Sequence, residues 1–166
     1  MKIKIFIGII SIGLFFIGFN YYHNLLEFLL SFIPEVTIHY RKLFTQILQA
    51  SSFGFTLSII PILSFILWNK FKIEKLLNKN LIVLAFIISA FSALYVKTQF
   101  VKSILQVPFT KTVILESENG LEIGKSIYEG ENLNYSLYIF IAEIMTFTIL
   151  HFVLNKNKLK EYNITE

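Results

Sequence analysis

Glu143 is the residue in this chain best suited to do chemistry, because it is the carboxyl group that falls inside a long apolar stretch. A carboxyl near the middle of a bilayer is costly and is usually paired, protonated or part of a functional site. No lysine or arginine stands inside the apolar stretches to pair with it. Two readings follow: a titrating functional group, or a carboxylic acid hydrogen-bonded to Ser58, Ser89 or Ser92 on adjacent helices and serving only packing. His151 lies eight residues further on, and that spacing turns it about 80° around an ideal helix. A proton path between the two is therefore less expected than a histidine bonded to a neighbouring helix or to a headgroup. Glu35 and His39, spaced i, i+4, and His23 are too sparse a set to expect a metal; a solvated helix face is the plainer reading. There is no cysteine, so thiol chemistry, disulfides and cysteine-based metal sites are excluded. No Walker loop, nucleophile elbow, HExxH pair or dinucleotide fingerprint occurs. The chain is expected to be non-enzymatic, with no cofactor and no metal.

The elements that must carry these residues are membrane spans. Hydrophobic residues make up 55% of the 166 and charged residues 16%, against roughly 25% charged in ordinary globular domains. With 18 Phe, 8 Tyr and a mean hydropathy of +0.64, the apolar surface exceeds what one soluble core of this size would hide. The net charge of +4 does not point to nucleic acid, because the lysines flank the apolar runs instead of forming a basic face. The expected architecture is all-α: one integral membrane domain over 1–166, with four transmembrane helices near 5–22, 52–69, 81–97 and 135–154 that form a four-helix bundle.

Each run has its own signature. The first lacks a small-x-small cleavage site after it and ends in Tyr21 and Tyr22, so a retained helix is expected in place of a removed signal. Gly8, Ser11 and Gly18 share one face on which a neighbouring helix can approach closely. In the second, Pro61 frees a backbone carbonyl that Thr56, Ser58 or Ser64 would satisfy at a kink. Ala85, Ser89 and Ala93 give the third, short run a small-residue packing stripe, with Tyr95 and Lys97 as anchors at its border. The fourth contains Glu143 and His151.

Orientation follows from the basic residues. Lys2 and Lys4, then Lys70, Lys72, Lys75 and Lys79, then Lys156, Lys158 and Lys160 crowd three short segments. Arg41, Lys42, Lys97, Lys102, Lys111 and Lys125 are scattered over two long ones. By the positive-inside rule both termini are expected in the cytoplasm, with residues 20–51 and 97–134 facing outward. In the first outward segment residues 25–33 are expected to lie along the membrane surface. Helix 2 is expected to extend outward from near Pro34, since Val36, Tyr40, Leu43, Phe44, Ile47 and Leu48 recur with helical spacing. In the second, residues 110–117 and 121–129 are rich in β-branched residues and flank Glu118-Asn119-Gly120. That pattern predicts a small external β-hairpin with Asn119-Gly120 at its turn. Glu116, Glu118, Glu122, Glu129 and Glu131 make its tip and flanks acidic.

The surfaces left for function are the helix faces and this outward platform, where Tyr40, Phe44, Glu118, Asn119, Gly120 and Glu122 are the expected recognition residues. The partners expected are the lipid bilayer and another membrane protein or a membrane-inserting toxin, with a homo-oligomer as a further possibility and no nucleic acid. In size, number of spans, inside ends and short basic cytoplasmic connections, the whole chain resembles the four-span immunity proteins that protect bacteria against pore-forming colicins. The resemblance is one of topology and carries over no residue; it implies a bacterial inner membrane and a non-enzymatic binding role. The alternatives are an accessory subunit of a transport, secretion or conjugation complex, or a small channel centred on Glu143.

Overall fold

The computed structural model describes residues 2–30, 36–39, 43–105, 116–117, 120–121, 126–129 and 134–164. Four long helices dominate them: α1 (Lys2–Leu30), α2 (Leu43–Lys70), α3 (Leu76–Leu105) and α4 (Ser136–Ile164). All four are long and apolar enough to cross a membrane, over Ile3–Leu29, Leu43–Lys70, Leu76–Ser103 and Ser136–Lys156. That is the architecture of a multi-pass membrane protein.

The helices run longer than the apolar runs alone indicate. A helix of 30 residues reaches about 45 Å, against roughly 30 Å of hydrocarbon. The reason is local: no Gly or Pro follows Gly18 before Pro34, or precedes Pro108 after Pro61 and the turn at 71–75. Helical hydrogen bonding therefore continues past the apolar border. Residues 25–30 accordingly complete α1 and do not form a separate surface segment; Leu26 is buried there, with Leu25 and Leu29 packed beside it.

The helices alternate in direction. Tyr22 bonds Gln49, and Thr98 lies against Tyr135, pairing early with late positions across α1/α2 and α3/α4. α2 turns into α3 through a Schellman closure in which Lys72 N–H donates to Asn69 O (3.3 Å) and Ile73 N–H to Trp68 O (2.9 Å). Lys72 holds the left-handed conformation (φ 49°) that glycine usually supplies there. Ile73, Phe71 and Trp68 pack on the core beneath this turn. At the other end Asn134 caps α4, its side-chain oxygen accepting from Leu137 N–H at 3.4 Å.

α1 packs chiefly along α2, α3 packs along α4, and α2 also touches both α3 and α4. The expected bundle is thus centred on α2, with α1 as an outlying member. Close approach sets the α1/α2 contact. A Cβ on Gly18 would lie 2.7 Å from Gly54 Cα, and one on Gly54 would lie 2.5 Å from the Phe15 carbonyl oxygen. Ser11 and Gly18 are buried as the small-residue face requires, whereas Gly8 is exposed with nothing near its Cα. Gly8 therefore takes no part in the close approach of α1 to α2.

Two corrections concern the connections. Val36–His39 is a strand, β1, so α2 does not begin near Pro34 but at Leu43. The run Val36-Thr37-Ile38 is β-branched, and that preference outweighs an apolar spacing also compatible with a helix. β1 pairs in parallel with β4 (Ser126–Glu129), in the register Val36↔Ser126 to His39↔Glu129. Residues 126–129 are therefore not the second arm of the expected hairpin. What pairs locally is β2 (Glu116–Ser117) with β3 (Gly120–Leu121), two residues each. Gly120 stands in that ladder opposite Ser117 instead of at the turn. Glu118, Asn119, Glu122 and Tyr40 lie outside the described residues.

The glycine crossing yields a prediction. Gly54→Val should lower the thermal unfolding midpoint in detergent by an amount equivalent to about 1–3 kcal/mol, because the new side chain meets backbone that cannot yield cheaply. Gly13→Val, with no atom within 4 Å of its Cβ position, should leave the midpoint almost unchanged. Equal effects from the two would mean that α1 and α2 do not cross there.

Candidate functional site

From Tyr135, just before α4, the buried face of the helix runs through Ser136, Ile139 and Glu143, with the half-buried Phe147 and Leu150 below. Steps of three and four residues keep these side chains on one stripe. Ile139 belongs to a cluster with Tyr22, Leu26, Phe53 and Leu94. Phe147 and Leu150 instead flank a second cluster of Ile60, Leu67, Ile82 and Phe86. Glu143 therefore sits at the seam between two apolar cores. It is fully buried (0% exposed), and neither carboxyl oxygen has a hydrogen-bond partner among the described residues.

The three serines expected to satisfy it are engaged elsewhere. Ser58 Oγ donates to Phe55 O at 2.7 Å and Ser92 Oγ to Ile88 O at 2.8 Å, each within its own helix. Ser89 Oγ donates to Ala142 O at 3.1 Å and accepts from Thr146 Oγ1 at 2.7 Å. Ser89 thus pins α3 to α4 one residue from Glu143 without touching its carboxyl. A hydroxyl one turn from a helical carbonyl finds it more cheaply than a partner across the bundle. The same rule governs α2, where Thr56 Oγ1 donates to Phe53 O at 2.8 Å. Pro61 interrupts the bond that would end on Leu57 O, so neither Thr56 nor Ser58 fills the role expected of it.

His151 is half-buried on the same helix, its ring 5.3 Å from that of Phe71 and 6.3 Å from that of Phe147. Eight residues put it about 12 Å along the axis from Glu143, with Phe147 and Leu150 between them. It packs aromatically and is not brought to the carboxyl. His39 lies in β1, so the helical i, i+4 relation expected between it and Glu35 does not exist. Glu35 is outside the described residues, and His23 instead faces Glu27 at 3.2 Å.

A second polar layer, which the apolar pattern conceals, ties all four helices together near the opposite end of the bundle from the Schellman turn. Tyr22 of α1 donates to Gln49 Oε1 of α2 at 3.4 Å, and Ser136 of α4 donates to Gln49 O at 3.5 Å. Thr98 of α3 and Tyr135, just before α4, approach to 3.4 Å. All five side chains are buried. Beside them Lys97, expected as a border anchor, is 7% exposed with its Nζ 4.6 Å from the Tyr138 ring centre. This cation–π contact replaces part of the hydration the ammonium gives up. The signal available in the sequence was the polar side chains of Gln49 and Thr98 standing at the ends of the second and third apolar runs.

Of the small-residue stripe on α3, Ser89 and Ala93 meet neighbours, Ala93 against the first core, and Ala85 is half-buried. The deeper contact is made one position on, by Ile82, Phe86, Ala90 and Leu94. Phe44, an expected recognition residue, is 73% exposed on the first turn of α2.

An unpartnered buried carboxyl destabilises a core by the desolvation it suffers. Glu143→Met, close in length and apolar, should therefore raise the thermal midpoint by the equivalent of about 1–3 kcal/mol, and Glu143→Gln should raise it less because an amide stays unsatisfied. A fall in the midpoint with Met would reveal a partner for the carboxyl. Compared with models of known families, with curated proteins and with solved structures, the chain matches none of them.

Proposed function

We propose that this chain is a non-enzymatic, multi-pass protein of a bacterial inner membrane, with both termini cytoplasmic, that recognises another membrane protein or a membrane-inserting ligand. The most specific form of the reading is an immunity protein against a pore-forming bacteriocin. The observation that carries the recognition role is the β1–β4 pairing, which joins the α1–α2 and α3–α4 connections residue for residue. A two-stranded sheet is marginal by itself in water. Among the described residues no further strand pairs with its outer backbone edges, the kind of surface to which an extended segment of a partner adds. The even number of helices and the lysines at one end of the bundle support the orientation.

A channel centred on Glu143 draws less support. The buried stripe of α4 continues from Glu143 into Phe147, Leu150 and Leu154, all packed on the second core. A conducting path needs polar groups or water in sequence along it, and none of these side chains supplies one.

Reporter fusions test the orientation: those after Lys75 or Lys160 should read cytoplasmic, and those near Tyr40 or Gly120 external. A cytoplasmic reading at Gly120 would overturn it. The recognition role is tested by Ile38→Pro, which puts a residue with fixed φ and no N–H in the middle of the β1 strand that pairs with β4. The variant should keep its membrane abundance yet lose protection of cells challenged with a pore-forming toxin, or lose stoichiometric co-purification of a complex. Protection by the chain expressed alone favours the immunity reading. Co-purification without protection favours an accessory subunit, and full function with Ile38→Pro sinks the sheet as the contact surface.

A further inference from the structure

α1 and α3 both lean on α2 without closing on each other, and the gap between them is a groove of about 520 Å³. Its wall is wholly apolar: Phe6 and Ile10 on α1, Ile60 and Pro61 on α2, and Ile87 and Phe91 on α3 contribute to it. At one end Ile3 and Trp68 complete the wall. There the chain carries its densest positive charge: Lys4 beside Ile3, and the exposed Lys70, Lys72 and Lys75 after Trp68. Lys79 stands a turn before Val83, another wall residue. Glu74 is the one carboxylate in this turn.

We infer that this groove is a binding site for an anionic phospholipid, with an acyl chain along the apolar wall and the phosphate among the lysines at its Trp68 end. The wall's composition and the charge at its end choose this occupant over a partner helix. Helices in membranes meet closely through small residues, and the wall is built mainly of Ile, Leu and Phe. The glycines of α1 take no part in it; Gly8 and Gly13 have no neighbour within 4 Å, and Gly18 is committed to Gly54. A flexible hydrocarbon chain conforms to such a surface. The lysines select the headgroup, since basic residues at a membrane surface attract anionic lipids.

Trp68 is the sole tryptophan, so its fluorescence reports this site alone. The full chain is reconstituted in phosphatidylcholine bilayers containing equal fractions of acyl-brominated phosphatidylglycerol or acyl-brominated phosphatidylcholine. At low salt the anionic lipid should quench Trp68 with a relative affinity at least about fivefold higher, the effect of about one lysine near the surface. The preference should shrink in high salt and in the triple variant Lys70→Gln, Lys72→Gln, Lys75→Gln. Filling the groove with Val83→Phe, or separately with Ile87→Phe, should reduce quenching by both brominated lipids while helical circular dichroism is unchanged. Equal quenching by the two headgroups at low salt overturns the anionic site. An anionic preference untouched by both filling variants overturns the groove, leaving only headgroup attraction to the lysines. Weak quenching by either lipid, together with self-association in the bilayer, would mean that a second copy of the chain covers this face.

Discussion

The fold depends on a place where two backbones nearly touch. At Gly18 and Gly54 neither helix has a side chain, so α1 and α2 approach until Phe15 O and Gly54 Cα occupy the space a Cβ would need. In lipid there is little hydrophobic drive for two apolar helices to associate, and packing at short range has to supply it. The crossing therefore fixes α1 against α2. Beyond it α1 is free of small-residue contacts at Gly8 and Gly13, and the groove toward α3 opens there.

Two apolar clusters and two polar devices complete the assembly. One cluster gathers Tyr22, Leu26, Phe53, Leu94 and Ile139; the other gathers Ile60, Leu67, Ile82 and Phe86. The layer of Tyr22, Gln49, Thr98, Tyr135 and Ser136 links all four helical elements at one depth, and Ser89 with Thr146 holds α3 to α4 at another. Such bonds between helices are worth about 0.6 kcal/mol each in a bilayer. They therefore fix register more than they supply stability. Glu143 contrasts with them: it lies between the clusters, one residue from the Ser89 contact, and its carboxyl has no hydrogen-bond partner among the described residues. A carboxyl so placed opposes packing, which makes it the residue whose retention most needs a reason.

The connections add a second level of organisation. β1 and β4 come from segments separated by two whole helices, yet they pair in register over four residues. Whatever binds this side of the protein meets both segments together. At the other end the short Schellman turn leaves Lys70, Lys72 and Lys75 exposed beside the apolar groove. The two ends thus offer different chemistry, backbone edges at one and positive charge against hydrocarbon at the other.

Composition and charge placement alone determined the class of protein: the length of the apolar runs, the lysines between them and the absence of cysteine point to four membrane helices. They do so because the bilayer imposes one requirement, internal satisfaction of backbone groups over about 20 apolar residues, that is legible locally. Gly18 and Ser11 were legible as a packing face for the same local reason. What only the tertiary structure decided are the pairings between distant segments. Gly54 as the partner of Gly18, Gln49 as the hub of a polar layer and β4 as the neighbour of β1 all join positions at least 27 residues apart. The start of α2 was illegible because Val36, Thr37 and Ile38 suit a strand while their spacing also suits a helix, and pairing with β4 settles the matter. The isolation of Glu143 was hidden too, since Ser58 and Ser92 take carbonyls of their own helices while Ser89 takes Ala142 O on α4, a choice that only the packed helices reveal.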